Sequence, residues 1–307
     1  MTTAFLGLGT MGEPMATRLC DAGVDLVVWN RSAPALDRLA AHGAHAAESP
    51  AEAVAAAEVV ILMLANAYVI DEVLGRDQHE FAVDVAGKLV VNMGTVAPSY
   101  SRALHDDLVA AGARFVEAPV SGSKGPAQAG ELVGMLAGDP VSVDQVEELL
   151  DPLTSSVVRC GQVPLALETK LAVNAYLITM VTGLAEAFAY GERRGVDPLL
   201  LRQILDAGPM ASTVSRGKLA KLLADDLSAQ ASIRDVRYNT RLILDEASGT
   251  SAATPLLSSC EALLAESELL GLGTADMIAV IDAFRGRSGT STAATEGPGA
   301  GDLVPTS

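Results

Sequence analysis

Residues 5–16 read Phe5-Leu6-Gly7-Leu8-Gly9-Thr10-Met11-Gly12-Glu13-Pro14-Met15-Ala16. Gly7, Gly9 and Gly12 fit a G-x-G-x-x-G spacing. The apolar run before them, residues 4–6, reads as a buried strand, and Met15, Ala16, Leu19 and Cys20 after them fall at helical spacing. A strand, a tight glycine turn and a helix N-terminus make the phosphate cradle of a dinucleotide-binding fold. In that cradle Gly7 permits the turn, Gly9 lets the backbone approach a pyrophosphate, and Gly12 lets helix and strand pack closely. Leu8, Thr10 and Met11 complete it, with first-turn N–H groups facing the phosphates.

A second strand over residues 25–29 ends in Asn30-Arg31-Ser32. Chains that bind NAD usually place an acid here to hold the ribose 2′-hydroxyl. That acid would repel a 2′-phosphate, whereas Arg31 can pair with one and Ser32 can donate a hydrogen bond to it. The expectation is a preference for NADPH over NADH, with Asn30, Arg31 and Ser32 at the adenosine end.

The chain has 307 residues, half of them apolar, enough for two domains with a sizeable core. Its formal charge of -17, from 21 basic and 38 acidic residues, argues against nucleic acid as a partner. Cys20, Cys160 and Cys260 are far apart, odd in number and without metal-ligand spacing, so a reduced, cytoplasmic protein with no metal is expected. The residues before the glycine strand carry no basic n-region and no cleavage-like stretch, so no secretion signal is expected. The one membrane-like stretch, residues 171–185, is interrupted by Asn174 and is shorter than the ~20 residues that span a bilayer. It reads instead as a helix buried in the protein or in an interface between two copies, so a homodimer and no membrane are expected.

The first half alternates apolar strands (residues 59–64, 89–91, 114–117 and 132–137) with alanine-rich helices such as residues 51–57 and 101–111. This predicts an α/β domain with a mostly parallel, doubly wound sheet over residues 1–163. Pro164 opens a long interdomain helix to residue 194. Gly195-Val196-Asp197-Pro198 reads as a stop and a new start. Residues 195–287 carry helical periodicity, with Leu201, Ile204 and Leu205 on one face and Ile278, Ile281 and Phe284 on another, and predict an all-α domain. The low-complexity residues 288–307 predict a disordered tail.

Two segments carry chemistry. Glu117-Ala118-Pro119-Val120-Ser121-Gly122-Ser123-Lys124-Gly125 follows a predicted strand, where a doubly wound sheet binds its ligands. Its accessible backbone and the Ser121 and Ser123 hydroxyls suit a carboxylate. Lys170 lies inside the apolar helix with Asn174 one turn later, on the same face. Desolvation there lowers a lysine's pKa toward neutrality, where it serves as proton donor and acceptor. The four histidines lie in polar stretches and read as surface residues. No H-E-x-x-H, G-x-S-x-G or Walker loop occurs, and the methionines are scattered as core fillers.

Together these segments resemble the β-hydroxyacid dehydrogenase family, the group of the 3-hydroxyisobutyrate dehydrogenases. The motifs from Gly7 to Ala16, from Glu117 to Gly122 and from Lys170 to Asn174 match in order. Asn92-Met93-Gly94-Thr95-Val96-Ala97-Pro98 resembles a further family segment, with Gly94 where serine is usual. Trp29-Asn30-Arg31-Ser32 and Ser121-Gly122-Ser123-Lys124 are most similar to the NADPH-dependent glyoxylate and succinic semialdehyde reductases.

The resemblance, over roughly residues 3–287, implies reversible hydride transfer between nicotinamide and the carbonyl or alcohol carbon of a small acid. Lys170 is then the general acid/base and Asn174 its orienting partner. Ser121, Gly122, Ser123 and Arg234 bind substrate, and Leu64, Ala65, Asn66 and Thr95 lie near the cofactor. Two departures stand out. Pro164-Leu165-Ala166-Leu167-Glu168-Thr169 replaces the glycines usual before the lysine, which is expected to reshape one wall of the site, and Arg234-Asp235 replaces a Lys-Asp pair. An imine reductase on the same fold and a non-catalytic NADPH-binding scaffold are the alternatives.

Overall fold

A computed structural model of the chain describes residues 1–287. The predicted tail, residues 288–307, lies outside the described residues. The chain opens with β1 (Thr3–Leu6), α1 (Gly12–Asp21), β2 (Leu26–Trp29), α2 (Ala33–Ala41), β3 (His45–Ala46), α3 (Pro50–Ala55) and β4 (Val59–Leu62). It continues through α4 (Ala67–Leu74), a small hairpin of β5 (Arg76–Asp77) and β6 (Glu80–Phe81), β7 (Leu89–Asn92), α5 (Pro98–Ala110) and β8 (Arg114–Glu117). Then come β9 (Val120–Ser121), α6 (Lys124–Ala129), β10 (Leu132–Gly138), α7 (Pro140–Leu150) and β11 (Thr154–Gly161). The remainder is helical: α8 (Leu165–Arg193), α9 (Pro198–Ala207), α10 (Thr213–Leu223), α11 (Ile233–Ser248), α12 (Pro255–Leu269) and α13 (Ile281–Arg287).

The large sheet has the order β11-β10-β8-β7-β4-β1-β2-β3, with β9 paired to β10. Its centre is parallel. β10 runs antiparallel to β8 and β9, and parallel to β11. Strands β1, β4 and β7 are buried on both faces, which is why they read as unbroken apolar runs. Alternate residues feed two cores. Phe5, Val28, Ile61 and Val91 pack with residues of α1 and α7 on one side. Leu6, Val60, Leu62 and Val90 pack with residues of α3, α4 and α5 on the other.

Strand register sets up the site. Leu6 pairs with Trp29 and with Leu62, Leu62 with Asn92, and Asn92 with Glu117. These five strand ends therefore form one edge, and every candidate segment of the first domain begins just past it, as the crevice rule for parallel sheets requires.

Some local expectations shift. The apolar run from residue 59 leaves the sheet after Leu62, because Met63 and Leu64 turn over the edge. Strand β11 has no counterpart among the predicted strands: it is an edge strand with mostly exposed residues, so it lacks the apolar run of a covered strand. The one long helix α8 joins the apolar stretch to its flanks. By length and composition it matches a membrane-crossing helix. Here it is the spine on which α11, α12 and α13 pack. On α9, Leu201 and Leu205 pack inward, but Ile204 is exposed with Leu199 and Leu200. His105 is not a plain surface residue: it is half-buried, its ring 6.0 Å from that of Phe115.

Candidate active site

The glycine turn begins at Gly7, whose φ is +105° and whose N–H donates to the Trp29 carbonyl at 3.0 Å. A Cβ on Gly7 would collide with the Met63 carbonyl oxygen, and one on Gly12 with the Gly7 carbonyl oxygen. Both glycines are thus demanded by packing of turn against strand and helix. At Gly9 the space is open: a Cβ there would meet no atom within 4 Å. No side chain caps α1; the Glu13 N–H is taken by the Gly9 carbonyl at 3.1 Å and Pro14 has none, so the donors left to this opening are the N–H groups of residues 10–12. An open backbone at an uncapped helix N-terminus fits a pyrophosphate.

The Asn30 side chain closes the other side of the turn. Its oxygen accepts from the Leu8 N–H at 3.0 Å, and its nitrogen donates to the Ser32 carbonyl at 3.0 Å and hydroxyl at 2.9 Å. Arg31 beside it is exposed and has no ion-pair partner among the described residues. No carboxylate occupies the strand end, so the group that would repel a 2′-phosphate is missing there and a free guanidinium is present.

The next two strand ends supply the remaining cofactor-side segments. Leu64 is buried and Ala65 exposed, while Asn66 caps α4 by accepting from the Val69 N–H at 3.0 Å. The wholly buried Asn92 amide accepts from the Gly94 N–H at 3.1 Å and donates to the Gly94 carbonyl at 3.2 Å, which shapes the turn before half-buried Thr95. The departure at Gly94 has a steric reason: a Cβ there would lie 2.7 Å from the Leu64 carbonyl oxygen.

Past β8 the chain turns through Ala118 and Pro119 into β9, where Ser121 pairs with Val133. Ser121 and Ser123 are half-buried and Gly122 exposed, and Ser123 stands at the N-terminus of α6 with its hydroxyl free of a capping bond. A cleft of about 640 Å³ lies beside the glycine turn at Gly9 and Thr10, between α1 (Thr17, Arg18) and α6 (Lys124, Gln128), with Ala229 of the helical region at its rim.

Lys170 and Asn174 are both buried, at 8% and 5% exposure, one turn apart on α8. Neither side chain has a hydrogen-bond or ion-pair partner among the described residues. Burial alone lowers the Lys170 pKa from 10.5 to about 8. A buried, unpaired ammonium able to exchange its proton near neutrality is what a general acid/base requires.

Three of the six departing residues before Lys170 (Pro164, Ala166 and Leu167) are buried in packing. Leu167 is wholly buried in the core beneath α4 and α5, Ala166 is wholly buried beside Ala137, and Leu165, Glu168 and Thr169 are exposed. Arg234 stands apart. Its side chain is 69% exposed, 4.0 Å from Glu268, and no hydrogen bond or ion pair joins it to Ser121, Lys170 or Asn174.

Asn92 and Glu117, which open two of the quoted segments without a role of their own being read from the sequence, are both wholly buried polar residues at strand ends. The signal was available: each interrupts an apolar run just before a candidate loop.

The chain is similar to known proteins along most of its length. Residues 2–161 match the family described as the NAD binding domain of 6-phosphogluconate dehydrogenase, and residues 166–284 match the family described as NAD-binding of NADP-dependent 3-hydroxyisobutyrate dehydrogenase. The chain is 31% identical to glyoxylate/succinic semialdehyde reductase 2 of Arabidopsis thaliana, over 93% of this chain and 80% of that one. It is 30% identical to reductase 1 of the same plant, over 93% and 99%. Among solved structures, Mycobacterium tuberculosis 3-hydroxyisobutyrate dehydrogenase with L-serine superposes with a TM-score of 0.81 at 26% identity, covering 92% of this chain and 99% of that one. With matches along nearly its whole described length, the chain belongs to the β-hydroxyacid dehydrogenase family and is a nicotinamide-dependent oxidoreductase acting on CH–OH groups.

Proposed function

We propose that this protein is an NADPH-dependent reductase of a small aldehyde or keto acid, working reversibly, with Lys170 as general acid/base. The observation that carries the reading is the pair Lys170 and Asn174, buried and unpartnered one turn apart on α8. A bound nicotinamide supplies the hydride for reduction or receives it in oxidation. Lys170 donates a proton to the substrate oxygen in reduction and removes it in oxidation. Asn174 orients that oxygen or the ammonium. Ser121, Gly122 and Ser123 hold the carboxylate, which limits the substrate to a near-attack pose. Arg31 and Ser32 favour NADPH through its 2′-phosphate. The relatives' names, glyoxylate and succinic semialdehyde reductases, support a short aldehyde acid as substrate.

The test is an NADPH-oxidation screen across glyoxylate, succinic semialdehyde, larger carbonyls and cyclic imines, repeated with NADH. Turnover on the aldehyde acids with NADPH is expected. Turnover on imines alone would replace this reading with imine reduction, and NADPH binding without turnover on any of them would leave the scaffold reading.

We also propose that two copies pair through α8. Its outward face carries Val173, Tyr176 and Tyr190, at 36%, 71% and 68% exposure, opposite the face that packs on α11, α12 and α13.

A further inference from the structure

Glu117 is the last residue of β8 and is wholly buried. Burial pushes its carboxyl up to about 7, so above neutrality it is a carboxylate, and it has three partners on two other elements. The Ser101 hydroxyl of α5 donates to Oε1 at 2.5 Å. The N–H groups of Ala166 and Leu167 donate to Oε2 at 3.1 and 3.3 Å. Those two are orphan donors of the first turn of α8, and Pro164 in the cap position offers no side-chain acceptor. A carboxylate 49 residues upstream in the chain does the capping that Ser, Thr, Asp or Asn normally does locally.

Spacing makes this contact more than a cap. Ala166, Lys170 and Asn174 recur every four residues, so the turn that Glu117 holds lies directly beneath Lys170. In the other direction, Ser121 follows Glu117 by four residues and is pinned by β10. Helix α8 packs on both β9 and β10. The proton donor and the carboxylate-binding loop therefore share one buried anchor.

We propose that Glu117 is a positioning residue whose carboxylate sets the distance between the Lys170 ammonium and residues 121–123, by capping the helix that carries the first and ending the strand that leads to the second. This rests on the reading of Lys170 as proton donor. Ångström-scale misplacement of reacting groups costs on the order of 100-fold in rate.

Glu117→Ala removes the acceptor, and Glu117→Gln keeps an acceptor oxygen at the same reach. With succinic semialdehyde and NADPH, Glu117→Ala should lose about 10- to 100-fold in kcat, with its Kd for NADPH unchanged by Trp29 fluorescence. Glu117→Gln should keep kcat within about 3-fold of wild type, since the acceptor geometry survives. A second readout needs no turnover: competitive acetylation of Lys170, read by mass spectrometry across pH. Burial alone holds the wild-type midpoint near 8, so it should persist in Glu117→Gln, whereas loosening the first turn of α8 in Glu117→Ala admits water to the ammonium and should raise it toward the ordinary lysine value.

Wild-type kcat or an unmoved Lys170 midpoint in Glu117→Ala overturns the proposal, as does a parallel loss of NADPH affinity. If wild type turns over no carbonyl acid while the labelling shift is intact, the reductase reading fails and the positioning role stands. Should Glu117→Ala not fold, Glu117→Asp, which withdraws the carboxylate by one methylene, takes its place. It should lose more kcat than Glu117→Gln, and the reverse order overturns the proposal.

Discussion

The Asn30 side-chain oxygen accepts from the Leu8 N–H at 3.0 Å, tying the end of β2 to the glycine turn. The same amide donates to Ser32, so one neutral side chain shapes both the pyrophosphate and the adenosine ends of the cradle. A carboxylate here would keep the bond to Leu8 and add a charge against a 2′-phosphate. Asn30→Asp should therefore weaken NADPH binding by about 10-fold or more, since two like charges a few ångströms apart near a surface repel by up to about 4 kcal/mol. NADH binding should change far less. Titration calorimetry with both nucleotides checks this, and equal losses for the two would remove Asn30 from cofactor discrimination.

Removal of the proposed proton donor has a size. Lys170→Ala should lower kcat by ~10²–10⁴, the usual contribution of a general acid–base group, with NADPH affinity retained because the cradle lies on other elements. Steady-state kinetics at saturating NADPH measures it. Near-wild-type turnover would take Lys170 out of the mechanism.

The lowered Lys170 pKa fixes the sign of the pH dependence. Reduction needs the protonated ammonium, so its kcat/KM should fall as pH rises through about 8, while oxidation should rise over the same range. A pH–rate profile without this limb would assign the proton to another group.

The same burial carries a stability cost. With its folded pKa near 8 and its unfolded value near 10.5, Lys170 binds its proton less tightly when folded. The cost, up to about 3 kcal/mol, is complete below pH 8 and fades as pH rises toward 10.5. Lys170→Met should accordingly be more stable than wild type at pH 7 by urea unfolding, and its advantage should shrink between pH 8 and 10. A less stable Met variant would show that the buried ammonium is compensated in the fold.

In the helical region Lys218 and Asp276 form a buried ion pair at 2.7 Å, and Asp276 also accepts from the Gln230 and Ile278 N–H groups. Lys218→Met strands that carboxylate away from solvent, which should cost about 3–5 kcal/mol in denaturant unfolding. A loss under 1 kcal/mol would mean that water or the two N–H groups suffice.

Light scattering should find a dimer, and Tyr176→Asp should shift it toward monomer by placing a charge on the outward face of α8. A wild-type monomer would refute the pairing.

Much is legible in the chain itself because its causes are local. The glycine spacing, the unbroken apolar strands and the one-turn interval between Lys170 and Asn174 each leave a pattern within a few residues, and the fold class follows from those patterns. Edge strand β11 leaves none, since its residues are mostly exposed. Only the packed chain could bring Leu6, Trp29, Leu62, Asn92 and Glu117 to one edge, give Asn30 to Leu8, and place the Glu117 carboxylate under α8. The reason is physical. Periodicity and turn chemistry act between near neighbours along the backbone, whereas a hydrogen bond between residues 49 apart, or a lysine's pKa lowered by its surroundings, exists only once distant segments have excluded water from the same place.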